Sequence, residues 1–329
     1  MSSTLKGDLA LIPLTTIGLE ALDGIFEEQA NEWLMRLRWD YTNARRLLAQ
    51  ALLNRDLFGF AALAGGSPVG FAFYVLEGPR CSIGDIYVSR SFRDHGADRR
   101  LAEAMIEKAR SMPRLRRIEC QSVSFGNASA DGYLVSEGFH RFERLFMVRD
   151  LTGINEPETQ IVNSGNSAAS VGDIRIRDWD QDDFGRAAEA IHRSYQAEDD
   201  RLINIQYRTE EGCAELLSIL TETIWCGEFL PRASKVAIER RTGKLLGVAV
   251  ASRISDDTGH LGQISVLPDY QGRGLGRQMI GEVVHALQRH GLMAVSLAVT
   301  ATNHRALKLY KSVGFQNAHR FPVYYWQRN

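Results

Sequence analysis

The sequence predicts an α/β protein built from two similar units, each a mixed β-sheet with helices packed on its faces. Three observations predict it. The chain has 329 residues, more than one ordinary domain holds at roughly 100–200 residues per domain. Blocks of sequence recur in one order. Ser67–Phe73 resembles Lys244–Val250, with Gly70 and Gly247 177 positions apart, and Ile86-Tyr87-Val88 recurs as Ile264-Ser265-Val266 at 178. Asn127 and Gly138-Phe139 recur as Asn303 and Gly314-Phe315 at 176. A drift of two positions across three ordered blocks is the mark of a duplicated domain, too long in period for a solenoid. Finally, each half places its hairpin strands first and then alternates strands with helices, the order of a mixed sheet.

Each half opens with a mostly helical stretch, 19–55 and 182–228, and these two match each other poorly, as elements specific to different ligands do. Two short apolar strands then flank a glycine turn, Ala64-Gly65-Gly66-Ser67 or Arg241-Thr242-Gly243-Lys244. A third strand ends at Val88 or Val266. A glycine-containing loop follows, and then a helix with apolar residues at helical spacing: Leu275, Met279, Ile280, Val283 and Leu287 in the second copy. A strand over 294–299, a helix over 303–313 and terminal strands complete the unit. Between the halves, 151–172 has no aromatic residue and no Lys or Arg, and is rich in Ser, Asn and Gly, the composition of a linker. The predicted domains are therefore 1–150 and 173–329.

Composition excludes several classes. Hydrophobic residues make up 44% and charged residues 24%, the texture of a globular core rather than of a disordered, collagenous or coiled-coil chain. The 39 basic and 40 acidic residues give a net charge of −1. They divide as 19 and 19 up to residue 150 and as 20 and 21 beyond it. Neither half has the positive excess that tracks nucleic-acid phosphates. Apolar runs such as Leu245–Ala251 are too short for a bilayer, and the first 16 residues lack a signal-peptide core. Cys81, Cys120, Cys213 and Cys226 form no metal motif and no disulfide framework, so neither metal nor membrane is expected and a reducing cytoplasm fits.

The sharpest chemical signal is Gln271-Gly272-Arg273-Gly274-Leu275-Gly276, set between a strand and a helix. Glycines there let backbone N–H groups come close to a ligand, and the helix N-terminus adds partial positive charge, so the loop can cradle phosphate without a metal. The spacing is G-x-G-x-G, with no acidic residue about 20 positions on and no Lys-Ser/Thr after it, so it is neither a dinucleotide fingerprint nor a P-loop. On glycines alone it is also a plain turn.

Its surroundings carry more. Ile264-Ser265-Val266-Leu267-Pro268 leads into the loop, and Asn303, Ala306, Tyr310 and Gly314-Phe315 follow in a later helix. The V-x-P, Q-x-x-G-x-G and N-x-x-A…Y-x-x-x-G-F blocks in this order resemble the GCN5-related N-acetyltransferase (GNAT) superfamily, over the whole second half. The resemblance implies a mostly antiparallel sheet with a splayed central strand pair. It implies acyl-CoA, most often acetyl-CoA, as cosubstrate. The backbone of Ile264, Ser265 and Val266 would then pair with the pantetheine arm, one N–H polarising the thioester carbonyl. Gln271, Gly272, Arg273, Gly274, Leu275, Gly276 and Arg277 would hold the pyrophosphate, and Asn303 would bond the arm. Tyr310 would protonate the departing thiolate. Tyr310 also lies on one helical face with Ala306, Leu307 and Val313, the pattern of a core aromatic. The family's usual glutamate is here His260, which is either the base that takes the amine proton or a histidine leaving a turn.

The first copy is a degraded version. Arg93-Asp94-His95-Gly96-Ala97-Asp98 keeps one central glycine and puts Asp98 where the second copy has Gly276. Leu134 stands opposite Tyr310, with Tyr133 rotated about 100° round the helix; Arg93, Arg99 and Arg100 remain as phosphate ligands. The expected activity is N-acyl transfer to a small-molecule amine in the second copy, with contact between the two copies. The alternatives are a protein N-terminal or lysine acetyltransferase, or a non-catalytic acyl-CoA sensor.

Overall fold

A computed structural model of the chain describes residues 9–152 and 173–328. The expected linker, 151–172, lies outside them apart from Leu151 and Thr152. Two compact units are formed, one from 9–36, 40–144 and 320–328, the other from 37–39, 145–152 and 173–319.

In chain order the first unit contains β1 (Leu9–Pro13), α1 (Leu19–Leu37, its last residue in the second unit), α2 (Thr42–Leu53), β2 (Phe58–Ala64), β3 (Ser67–Glu77), β4 (Arg80–Val88), α3 (Ala97–Arg110), β5 (Arg117–Cys120) and α4 (Ala128–Ser136). β6 (His140–Asp150) passes into the second unit at Leu145. There follow β7 (Ile174–Asp178), α5 (Phe184–Ser194), α6 (Asp200–Ile203), α7 (Glu210–Glu222), β8 (Glu228–Phe229), β9 (Lys235–Glu239), β10 (Leu245–Arg253), β11 (Thr258–Val266), α8 (Leu275–Arg289), β12 (Ala294–Thr300), α9 (His304–Ser312) and β13 (Gln316–Gln327).

Strands of the first unit run in the order β1-β2-β3-β4-β5-β13, and those of the second β6-β12-β11-β10-β9-β7, with β8 beside β10. β4 and β5 pair in parallel, as do β11 and β12, while the hairpins β2–β3, β3–β4 and β10–β11 are antiparallel. This is the mixed, mostly antiparallel sheet the sequence predicts. The β2–β3 hairpin turns on Gly65 and Gly66, both at positive φ (57° and 83°), as a two-residue primed turn requires. β10 is buried along all but its last residue, which explains why it reads as a continuous apolar run rather than an alternation.

The units depart from the boundaries 1–150 and 173–329 at three places: residues 37–39 and 145–150 belong with the second unit and 320–328 with the first. Tyr324–Gln327 of β13 pair antiparallel with Cys120–Arg117 of β5, and Tyr324 joins the apolar cluster built on Leu101, Met105, Ile106 and Ile118. A bare β5 edge would leave a row of unpaired backbone groups, and the C-terminal strand covers it. Patterning in the sequence marks a strand there but not the sheet it joins.

Candidate active site

β11 and β12 stay paired only from Thr258/Ala294 to His260/Ser296. On its other side β11 remains with β10 as far as Gly247/Val266, but the register slips where Val250 faces Gln263 and Ala251 faces Leu261, leaving Gly262 as a bulge. Beyond the bulge the Ile264–Val266 end of β11 and the Ala298–Thr300 end of β12 line a cleft of about 520 Å³. Ile264, Ser265 and Val266 lie on its wall as expected. The Val266 carbonyl accepts hydrogen bonds from Gln271 Nε2 (2.8 Å) and Ser194 Oγ (3.1 Å).

The loop from Gln271 to Gly276 closes one end. Gly272 and Gly274 sit at φ 74° and 87°, and a Cβ on either would meet nothing within 4 Å. The conformation therefore requires glycine while the space in front of it stays open. Gly274 is the N-cap of α8, and no side chain caps that helix. The first-turn N–H groups are thus left for a ligand, backed by the helix dipole; the cradle fits an anionic pyrophosphate. Gln271, Gly272, Gly274, Gly276 and Arg277 line the cleft, and Arg277 donates to Ser312 Oγ at 2.6 Å. Leu275 buries its side chain in the core and anchors α8, its N–H belonging to the first turn, and Arg273 packs its guanidinium over the Tyr270 ring, 5.6 Å from the centroid.

Beside the loop α9 contributes Asn303, whose Oδ1 accepts from Ala306 N at 3.0 Å, so it caps the helix and lines the cleft together. Tyr310, 8% exposed, also lines the cleft while packing edge-on against Phe315. It is core aromatic and cleft residue in one. Burial, with Tyr195 and the Asp200 charge nearby, pushes its hydroxyl pKa well up, so it holds its proton at neutral pH.

His260 is set apart from this wall. It is buried between Trp39 and Phe146, with ring centroids at 4.9 and 6.1 Å, and its Nδ1 pairs with Ser296 Oγ at 2.9 Å. Burial lowers its pKa to about 4. It is absent from the residues lining the cleft.

Several residues the motifs did not single out complete the site. Tyr195 and Tyr207 stack at 3.8 Å; Tyr207 Oη donates to Gln263 Oε1 (3.0 Å), and Gln263 Nε2 donates to Tyr195 Oη (3.2 Å) and Ser265 Oγ (2.8 Å). Asp200 Oδ1 accepts from Thr300 Oγ1 at 2.7 Å. Arg305 bridges the mouth, pairing with Glu198 at 2.5 Å and donating to Gln271 Oε1. In the sequence, the acidic run Glu198-Asp199-Asp200 is the one feature that points to any of them.

Residues 20–139 and again 176–315 match the acetyltransferase (GNAT) family. The chain belongs to the GNAT acetyltransferase family. Among curated GNAT relatives, ribosomal protein bS18 alanine N-acetyltransferase of Escherichia coli K12 is 36% identical over 78 residues, 24% of this chain and 52% of that protein. Mycothiol acetyltransferase of Thermobifida fusca is 34% identical over 97 residues, 27% of this chain and 30% of that one. The chain thus spans about half the length, or less, of these relatives. A GCN5-related N-acetyltransferase from Sphaerobacter thermophilus superposes over 98% of this chain and 97% of its own with a TM-score of 0.65 at 17% identity. A tandem GNAT protein of the clavulanic acid pathway does so over 97% and 98% with a TM-score of 0.58 at 16% identity. Both likenesses are of the fold.

The corresponding place in the first GNAT copy is nearly filled. The space lined by Ile86, Asn127, Ala130 and Leu134 is about 20 Å³. Asn127 Nδ2 donates to the Ile86 carbonyl at 2.7 Å, and Asp98 Oδ2 accepts from Ala130 N at 2.9 Å. Arg93 is spent on the Val88 carbonyl and the fully buried Glu32. Arg99 pairs with Glu103 at 2.8 Å. Among the described residues no cluster of His, Cys, Asp or Glu could hold a metal, and no helix is long and apolar enough to cross a membrane.

Proposed function

We propose that the second unit transfers an acetyl group from acetyl-CoA to the primary amine of a small molecule, by direct attack, in the cytoplasm. The observation that carries this reading is a cleft between two strands that part beyond a bulge. It runs from an uncapped helix N-terminus at α8 to a buried tyrosine hydroxyl on α9. Acyl-CoA supplies the activated acyl carbon. The first-turn N–H groups of α8 and Arg277 hold the pyrophosphate, and the backbone of Ile264–Val266 and Asn303 position the arm. Tyr310 keeps its proton through substrate binding and gives it up only to a developing thiolate.

His260 has no place in this reading. A base whose conjugate acid has a pKa near 4 retains little driving force to take a proton from an ammonium, and the ring is walled off by Trp39 and Phe146. All four cysteines are free thiols, three of them buried with pKa values pushed up to about 12, which fits a reducing compartment and removes them as nucleophiles.

The bS18 relative's protein acceptor makes a protein N-terminus the second reading. Thiol release from acetyl-CoA, followed with a panel holding glucosamine, spermidine, phenethylamine and an alanyl peptide, separates them. Turnover of a small amine and not of the peptide supports the proposal. Turnover of the peptide alone moves the acceptor to protein, and no release with any amine removes the acetyltransferase reading.

A further inference from the structure

Beyond the acetyltransferase assignment, on which it rests, we infer that Asp200 receives the acceptor amine as an ammonium ion and takes its proton. An amine near neutral pH arrives protonated and has no lone pair to attack with until one proton leaves. Two carboxylates line the cleft, Glu198 and Asp200. Glu198 pairs with the exposed Arg305 at the mouth. Asp200 is 8% exposed and is aimed by the Thr300 hydroxyl at the last residue of β12. Its charge is felt by both Tyr310 and Tyr195, so the carboxylate stands in the same corner as the residue that faces the leaving group.

The cleft is polarised accordingly. Arg277 and Lys308 lie on its lining with the α8 N-terminus, whereas Asp200 belongs to α6 and meets Thr300 at the end of β12. A phosphate-bearing substrate and a cationic one thereby meet different groups of the lining. A carboxylate and a phenol that holds its proton, in one corner, form the acid–base pair that the transfer needs.

The proton and electron balance is complete. Asp200 takes one proton from R–NH3+, and the freed lone pair forms a C–N bond to the thioester carbon. The C–S bond breaks with its electron pair going to sulfur, which is protonated by Tyr310. The nitrogen's second proton replaces the one Tyr310 gave, and Asp200 passes its proton to solvent. The products are R–NH–CO–CH3, CoA thiol and one proton.

Asp200→Asn tests the assignment, because the amide can still accept from Thr300 but carries no charge. With acetyl-CoA and whichever amine of the panel wild type turns over, kcat/KM for the amine should fall by about 10²-fold or more. The acetyl-CoA Kd by calorimetry should stay within about twofold, and binding of the amine to the enzyme–CoA complex should weaken at least about tenfold. The variant's kcat/KM should also climb with pH up to the amine's own pKa, since solution must now supply the free base. Other ionisable groups near Asp200 are Tyr195 beyond α5, Glu198, Asp199 and Arg201 around α6, and Tyr310 and Arg305 on α9; none of them is altered. Thr300→Val, which removes the aiming hydroxyl at similar shape, should lose roughly tenfold and serves if Asp200→Asn does not fold. Wild-type kcat/KM for the amine in folded Asp200→Asn, or in Thr300→Val where only that variant folds, would overturn Asp200 alone. Failure of wild type to release thiol with any amine would overturn the acetyltransferase reading and this assignment with it.

Discussion

A tyrosine serves as an acid for a thiolate only if it keeps its proton until the sulfur needs it. Burial of Tyr310, reinforced by Tyr195 and Asp200, ensures that, and the hydroxyl borders the cleft. Tyr310→Phe should therefore lower kcat by about 10²-fold with little change in acetyl-CoA affinity. Wild-type turnover in the variant would leave Tyr310 with its packing role against Phe315 alone, and the melting temperature shows whether packing was disturbed. His260 gives the opposite case. Its folded pKa, near 4, lies below the ordinary 6.5, so between those values the unfolded chain binds the extra proton. The neutral, buried form contributes stability that is complete above pH 6.5 and is lost as pH falls towards 4, on the order of 3 kcal/mol. His260→Gln should flatten that part of the acid dependence, read as the difference in melting temperature between pH 7 and pH 4.5 for variant and wild type. An equal acid loss in both would show that the histidine is not buried as a neutral ring. Tyr310 was legible in the sequence because Asn303, Ala306 and Tyr310 share one helix at fixed spacing. His260 was not, because Trp39 and Phe146 reach it from more than a hundred residues away and periodicity says nothing about such neighbours.

At the level of elements, the pattern strand, glycine loop, helix was readable from the residues, while the opening between β11 and β12 came only with the family resemblance. That opening depends on a one-residue bulge at Gly262 and on pairing that stops at His260/Ser296, both set by three strands together. The α8 cradle can be compared with α3, the matching helix of the first unit. Gly96 caps α3 in the same left-handed conformation, at φ 80° against 87° for Gly274. Asp98 is then turned onto Ala130 N, the bond that Asn303 makes to Ala306 N within α9. Asp98 thus turns its carboxylate to the N-terminus of α4, and Asn127 is left to tie off the Ile86 carbonyl. A carboxylate at the cap of α8 should close the second cradle. Gly274→Glu places a side chain at positive φ, a strain of roughly 1–2 kcal/mol, and a negative charge before the α8 N–H groups. Open space around Gly274 lets the fold survive, so the expected outcome is acetyl-CoA affinity reduced about 10²-fold or more by calorimetry with circular dichroism unchanged. Unaltered affinity would show that α8 does not hold the pyrophosphate.

Over the whole molecule, duplication has produced one cleft and one plug. Gln271 Nε2 and Arg93 Nε occupy matching positions and reach matching carbonyls, Val266 at 2.8 Å and Val88 at 3.2 Å. In the second unit the cleft beyond that bond stays open at about 520 Å³. In the first, the fully buried carboxylate of Glu32 pairs with Arg93 and Arg36, and about 20 Å³ remains by Asn127 and Leu134. The chain's own Glu32 carboxylate thus takes up Arg93, a cationic donor that a bound phosphate would need, and an anion recruiting Arg93 must displace a buried ion pair at a cost of several kcal/mol. Leu134, buried in the first core, has no proton to give at the Tyr310 position, and Tyr133 lies beneath the Arg99 guanidinium at 5.9 Å. Titration of the full chain with acetyl-CoA should accordingly saturate at one molecule per chain, and Tyr133→Phe should leave kcat and the acetyl-CoA Kd unchanged. Two equivalents bound with similar affinity would mean that the Glu32–Arg93 pair opens to admit ligand. Loss of turnover in folded Tyr133→Phe would place a working acid in the first copy, contrary to the asymmetry that Asp98 and Leu134 build into the duplication.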